Sequence, residues 1–261
     1  MSDVNSPLYL SRLILDLNCR QVRNEIAQPY EMHRTLMHAF KGYAVKKEEN
    51  AREKFGVLFR ADVDNQNGRV VVYIQSLVEP DWSYLDKCKN YLLSDKNVSN
   101  PTYKNIAASY RGLRNGQTVS FSLRANPTKR IFKPSKGDDV LKGKRVALLR
   151  EEEQLDWLVR KGNEREKSRP GGFKILVKEI QDQNDELSQI VHVNTVPEGK
   201  QIGYKKDKKF IRCKHQMTQL TVRFDGLLRI TDPDAFRETL IRGIGSAKAF
   251  GCGLMLVKRV V

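Results

Sequence analysis

Residues 57–77 read VLFRADVDNQNGRVVVYIQSL, two β-rich runs joined through Asn67-Gly68. Valine, isoleucine, phenylalanine and tyrosine crowd both runs, as they do on a pleated, half-buried surface. Asn-Gly favours a type I′ turn, whose twist matches that of the strands it joins. The segment is therefore expected to be a hairpin, VLFRADV (57–63) against RVVVYIQSL (69–77).

Upstream, LYLSRLILDL (8–17) is apolar and partly alternating, as a buried strand would be. A helix is expected from Pro29, a residue suited to the first helical position, to about Tyr43. Met32, Leu36, Ala39, Phe40 and Tyr43 recur at helical spacing and form its core stripe. Downstream, a less regular region from Trp82 to Ala108 is expected to hold a second helix. TVSFSLRA (118–125) is then expected to close the set as a strand.

The second half repeats this order. KRVALL (144–149) reads as a strand and EEEQLDWLVRKG (151–162) as a helix whose opening carboxylates suit a positive N-terminus. FKILVKEI (173–180), SQIVHV (188–193) and QLTVRFDGLLRIT (219–231) read as strands, DPDAFRETLIRG (232–243) as a helix and GLMLVKRVV (253–261) as a last strand. The order β-α-β-β-α-β, met twice, predicts an α+β chain of two tandem ferredoxin-like (RRM-like) domains, 1–130 and 131–261. The boundary is expected in the basic stretch 127–143. Neither half carries the aromatic signature by which RRM sheets stack bases.

Lys and Arg number 47 against 31 Asp and Glu, a formal net charge of +16, with a pI of about 9.7. Such an excess favours a phosphate-bearing partner, because each neutralised phosphate releases condensed counterions. With 39% hydrophobic residues the chain can build a core. No apolar run approaches the ~18 residues that span a bilayer, and the N-terminus lacks the pattern of a secretory signal. A cytoplasmic protein without a membrane contact is expected. Cys19, Cys88, Cys213 and Cys252 lie far apart with no CxxC, which argues for reduced thiols rather than a zinc site.

Three segments could carry chemistry. GIGSAKAFGCG (243–253) places Gly243, Gly245, Gly251 and Gly253 around Lys248. It reads equally as a phosphate-cradling loop or as a tight helix-to-strand connection. KKDKKFIRCK (205–214), preceded by Lys200 and Tyr204, reads as a basic hairpin arm. Such runs are usually solvated faces, but a thin basic ribbon also suits the deep, phosphate-lined groove of A-form RNA. QPYEMHRTL (28–36) sets Tyr30 and His33 three apart, on one helix face flanking the core stripe. A lone histidine there is either a structural residue or a catalytic one, and His38 projects well around the helix from it.

LYLSRLIL, PYEMHRTL, LVEPDW (77–82), SLRANPTKR (122–130), KRVAL (144–148) and GIGSAKAFGCGL (243–254) occur in this order. Together they resemble the CasE (Cse3) family of CRISPR-associated endoribonucleases, over nearly the whole chain. The resemblance implies two ferredoxin-like domains, and cleavage of CRISPR precursor RNA at the base of the repeat stem-loop. It also implies that the product is retained as the protein, a monomer when free, joins the other subunits of the Cascade complex. It assigns catalysis to His33 and Tyr30, with no cofactor and no metal. RNA binding is assigned to Lys200, Lys205, Lys206, Lys208, Lys209, Arg212 and Lys214, to Arg124 and Lys129, and to Gly243, Gly245, Lys248 and Gly251. His38 stands where some relatives place a lysine.

In such a reaction the 2′-hydroxyl attacks its own phosphate in line and expels the 5′-oxygen. One group takes a proton, another gives one, and cations steady the phosphate. His33 is expected as acid or base with Tyr30 assisting and Lys248 near the phosphate, leaving a 2′,3′-cyclic phosphate and a 5′-hydroxyl. A stem-loop-binding subunit without catalysis is the rival reading, and a basic scaffold for acidic proteins is a further one.

Overall fold

The computed structural model describes residues 6–40, 51–94, 98–131, 143–163, 165–166, 169–181, 187–206 and 214–260. The chain forms two compact units. The first gathers Met1–Gly112, Lys200–Thr218 and Ala247–Leu254; the second gathers Leu113–Gly199, Gln219–Ser246 and Met255–Val261.

In the first unit, β1 (Tyr9–Asp16), helices α1 (Arg20–Ala27), α2 (Pro29–Met37) and α3 (Ala51–Lys54), and strands β2 (Leu58–Asp64) and β3 (Arg69–Ser76) follow in turn. A 3₁₀ turn (Ser83–Lys87), β4 (Thr102–Asn105) and α4 (Ala107–Arg111) complete it. The sheet order is β2-β3-β1-β4 with antiparallel neighbours, the ferredoxin-like arrangement. Val70, Val72 and Ile74 alternate along β3 and are fully buried beside Leu13 and Leu15 of β1. This apolar face packs with Met32, Leu36, Met37 and Phe40 in one core.

The hairpin at 57–77 forms, but the turn is longer than a type I′ pair, which shifts the register from the one an Asn67-Gly68 pair would set. Asp64 is opposite Arg69, leaving four loop residues, and within that loop only Gly68 takes a positive φ, of 61°. The Asp64 carboxylate accepts from the Asn67 backbone at 3.2 Å and from its side-chain amide at 2.8 Å. That Asx-type closure replaces the two-residue turn.

The second unit opens with β5 (Thr118–Ala125), the hairpin strands β6 (Thr128–Arg130) and β7 (Arg145–Ala147), and α5 (Glu151–Asn163). Short strands β8 (Arg165–Glu166) and β9 (Arg169–Pro170) lead to β10 (Phe173–Ile175), β11 (Val177–Gln181) and β12 (Leu187–Val191). Then come β13 (Val193–Lys206) and β14 (Lys214–Ile230), of which residues from Lys200 to Thr218 count with the first unit, and α6 (Pro233–Arg242) and β15 (Met255–Arg259). The order β10-β14-β5-β15 repeats that of the first sheet, with β13 paired to β14.

Four expectations are corrected here. TVSFSLRA does not close the first sheet; as β5 it is the central strand of the second, between β14 and β15. The edge of the first sheet is instead β4, a four-residue strand. The division therefore falls near residue 112, not within 127–143. KRVALL contributes only to the β6–β7 hairpin, because β5 already holds the central place. FKILVKEI breaks at Leu176, whose carbonyl accepts from His192, so β10 joins the main sheet and β11 pairs with β12.

Local chemistry sets the second unit's helix ends. The Asp232 carboxylate accepts from the backbone of Asp234 and Ala235, both at 3.0 Å, with Pro233 at the first helical position. Trp157 and Leu158 of α5 are buried in this unit's core, where Trp157 stacks on Phe224.

Candidate active site

Helix α2 carries Tyr30 and His33. Pro29 starts it, and Met32, Leu36 and Met37, all at or below 1% exposure, fix its inner face. Tyr30 and His33 then share the adjacent face, with ring centroids 6.1 Å apart. His33 is buried, and its imidazole lies nearly parallel to Phe59 of β2, 10° between planes and 6.1 Å between centroids. Tyr30 in turn meets Phe250 at 6.0 Å.

Phe250 ends a single 3₁₀ turn, Lys248–Phe250, bracketed by two left-handed residues, Ala247 (φ 58°) and Gly251 (φ 76°). Phe250 is buried and Lys248 half-buried. A β-carbon on Gly251 would stand 3.2 Å from the Phe59 ring, so the turn sits close against the ring that supports His33.

His33 has an unusual electrostatic setting. Its Nδ1 is buried with no hydrogen-bond partner. Burial, and then the positive charge of Arg52, hold its pKa down at about 4. The imidazole is thus neutral at physiological pH, with one ring nitrogen available as an acceptor. Arg52 lies on α3, where its carbonyl accepts from Val57 and its guanidinium pairs with Glu53 at 3.1 Å. Burial presses the guanidinium pKa below its ordinary value.

The glycine-rich segment forms the tight helix-to-strand connection, in two parts. Gly243 (φ 74°) ends α6, and Gly245 (φ 81°) packs so tightly that a β-carbon would lie 2.9 Å from Trp157 of the second unit. Lys248 and Gly251 belong to the first unit, with Tyr30 and Phe59. Of the other expected RNA-binding residues, Arg124 pairs with Glu198 at 2.5 Å and Lys129 with Glu153 at 2.8 Å. Lys200 is exposed on β13, while Lys205 and Lys206 end that strand and Lys214 begins β14. Lys208, Lys209 and Arg212 lie outside the described residues, as does Tyr43.

His38 caps the C-terminus of α2, its Nδ1 3.3 Å from the Thr35 carbonyl and its ring 6.0 Å from Tyr84. Cys19 and Cys88 are half-buried thiols and Cys252 is buried; Cys213 lies outside the described residues. Among the described residues no three His, Cys, Asp or Glu side chains gather as a metal site would, and no helix is long and apolar enough to cross a membrane.

Arg52, Phe59 and Phe250 were not legible as site residues. Phe59 had a signal, since strand alternation puts it on the core face with Val57 and Ala61. Arg52 had none, being one cation among several in KKEENAREK (46–54).

A family model described as CRISPR associated protein matches residues 8–259. The chain is 32% identical over 254 residues to a CRISPR-associated endoribonuclease Cse3 of Thermus thermophilus, covering 96% of this chain and 99% of that protein. It is also 32% identical over 147 residues to the CRISPR system Cascade subunit CasE of Escherichia coli, covering 55% and 59% of the two. A solved structure of Thermus thermophilus Cse3, bound to an RNA representing a pre-cleavage complex, superposes with a TM-score of 0.65 at 30% identity. The match covers 97% of this chain and 99% of the solved one.

Proposed function

Because the chain belongs to the CRISPR-associated protein family, we propose that it is an endoribonuclease that cuts CRISPR precursor RNA at the base of the repeat stem-loop and keeps the product as a cytoplasmic Cascade subunit. The observation that carries this reading is His33, a buried, neutral imidazole whose Nδ1 has no partner, on the same helix face as Tyr30.

The chemistry follows from the protonation state. A neutral imidazole takes the proton of the 2′-hydroxyl as that oxygen attacks the adjacent phosphorus. The P–O5′ bond breaks, and the departing 5′-oxygen needs a proton, which the Tyr30 hydroxyl supplies. Arg52 and Lys248 provide the positive charge that the five-coordinate phosphate requires. The products are a 2′,3′-cyclic phosphate and a 5′-hydroxyl, and no step calls on a metal ion. The imidazole gains its proton in a desolvated place, so the incoming phosphate must offset the effect of burial by raising the His33 pKa. Lys205, Lys206, Lys208, Lys209, Arg212 and Lys214 hold the stem through its phosphates.

A gel assay of a CRISPR repeat RNA in EDTA tests this reading. Wild type should cut, leaving cyclic phosphate ends, and His33→Ala should lose about 10²–10⁴ in rate while still binding the hairpin. Binding without cutting by either protein would make the chain a repeat-holding subunit without catalysis. Strict dependence on Mg²⁺ would remove the mechanism.

A further inference from the structure

The first unit carries a groove of about 570 Å³ on which the catalytic reading makes no demand. Val78, Trp82 and Tyr103 give it apolar walls, and Glu79, Asp81 and Asp86 give it an anionic rim. Its lining includes no lysine or arginine among the described residues, although the chain as a whole carries +16. A phosphate backbone is repelled from such a place, whereas a cationic side chain is drawn to it.

Two further observations say what shape of ligand fits. Val78 and Tyr103 are 37% and 45% exposed, apolar surface whose covering would be favourable. Tyr103 is the second residue of β4, and β4 ends the sheet order β2-β3-β1-β4, with no strand beyond it among the described residues. An open strand edge is a template for an added strand. The rim is anchored to this edge, because the Tyr103 hydroxyl donates to Glu79 at 2.6 Å. The Asp81 carboxylate is oriented by the Ser83 backbone and hydroxyl, at 3.1 and 2.7 Å.

We propose that this groove docks an extended, lysine- or arginine-bearing segment of a protein partner, laid along β4 with its cations against Glu79, Asp81 and Asp86. The partner is sought among the other Cascade subunits, a choice that rests on the functional reading above. RNA is not the occupant.

The full chain with Tyr103→p-benzoylphenylalanine, loaded with repeat RNA, is irradiated with the purified remaining Cascade subunits, and the crosslinks are mapped by mass spectrometry. In parallel, Glu79→Lys/Asp86→Lys and the milder Glu79→Gln/Asp86→Asn are compared with wild type for thermal stability, free-RNA cleavage and co-elution with those subunits. The expected result is a crosslink to one Lys/Arg-bearing segment. The charge-reversed variant should lose co-elution about ten-fold, and the neutral one by less, while RNA cleavage by both stays unchanged. Crosslinks to RNA, or unchanged co-elution of the reversed variant, would overturn the proposal. If wild type fails to cleave, the functional reading fails, and the crosslink still decides the docking surface.

Discussion

The carboxylate of Glu25 and the hydroxyl of Tyr91 meet at 2.6 Å in the buried core of the first unit. The other oxygen of that carboxylate accepts from Thr35 at 2.6 Å and from Gln21 at 2.8 Å. Thr35 lies two residues beyond His33, and its carbonyl accepts from Tyr84 at 2.7 Å. Burial and the nearby Glu25 charge raise the pKa of both tyrosines, keeping them protonated donors. Removing the carboxylate leaves the buried Tyr91 hydroxyl and the half-buried Thr35 hydroxyl without their acceptor. Glu25→Ala should therefore cost about 1–4 kcal/mol of unfolding free energy in urea titrations, at about 1–3 kcal/mol for the buried Tyr91 hydroxyl and less for the half-buried Thr35. Glu25→Gln, which keeps one acceptor oxygen, should cost less.

Gly251 is a second point where geometry limits the sequence. Its φ of 76° and the 3.2 Å from a built β-carbon to Phe59 combine strain with crowding beside His33. Gly251→Ala should destabilise by about 1–2 kcal/mol. Cleavage rate should fall more than hairpin affinity, and a matched loss of both in single-turnover and binding assays would count against a supporting role for this turn.

The pH dependence of stability follows from His33. Its pKa is about 4 in the folded chain against 6.5 as the ordinary value, so between those values the unfolded chain binds a proton that the folded chain does not. The stabilisation is fully present above pH 6.5 and is lost as pH falls from 6.5 towards 4, amounting to roughly 3 kcal/mol at 1.36 kcal/mol per unit. Chemical denaturation between pH 4 and 7 should show this slope, and His33→Phe should flatten it.

Arg52 is expected to act on the reaction and on His33 together. Arg52→Ala should lower single-turnover rate by about 10²–10³, the usual cost of one charged transition-state contact. It should also raise the His33 pKa in an NMR titration, since Arg52 is one of the two causes holding it down. A rate loss with no change in the titration would place Arg52 away from the imidazole.

Much of this was readable because local pattern and final environment agree. The alternation in residues 69–77 survives as the buried Val70, Val72 and Ile74, and the helical stripe as Met32 and Leu36; Phe40 is also buried, but the helix expected to reach Tyr43 ends at Met37. Pairing partners were not readable. TVSFSLRA alternates well enough to sit in either sheet, and only its register against β14 and β15 decides. β4 was missed because TYKN is four residues long and mostly exposed, leaving no periodicity to detect. Helix α1 was missed because RQVRNEIA has few apolar residues, and one of its buried members, Glu25, is charged. Tyr30 and His33 stood out by spacing, but the aromatic rings around them come from β2 and from residues 247–254, which spacing on α2 cannot report.

That last origin bears on how the protein is made. Residues 247–254 belong to the unit that also contains α2, so the first unit is assembled from three separate lengths of chain. During translation the segment bearing His33 emerges early, while Phe250 and Gly251 leave the ribosome long afterwards. A nascent or prematurely terminated chain that stops short of residue 250 therefore lacks part of the wall around its own histidine. The order of synthesis thus delays the completed surroundings of His33 until residues 247–254 have been translated.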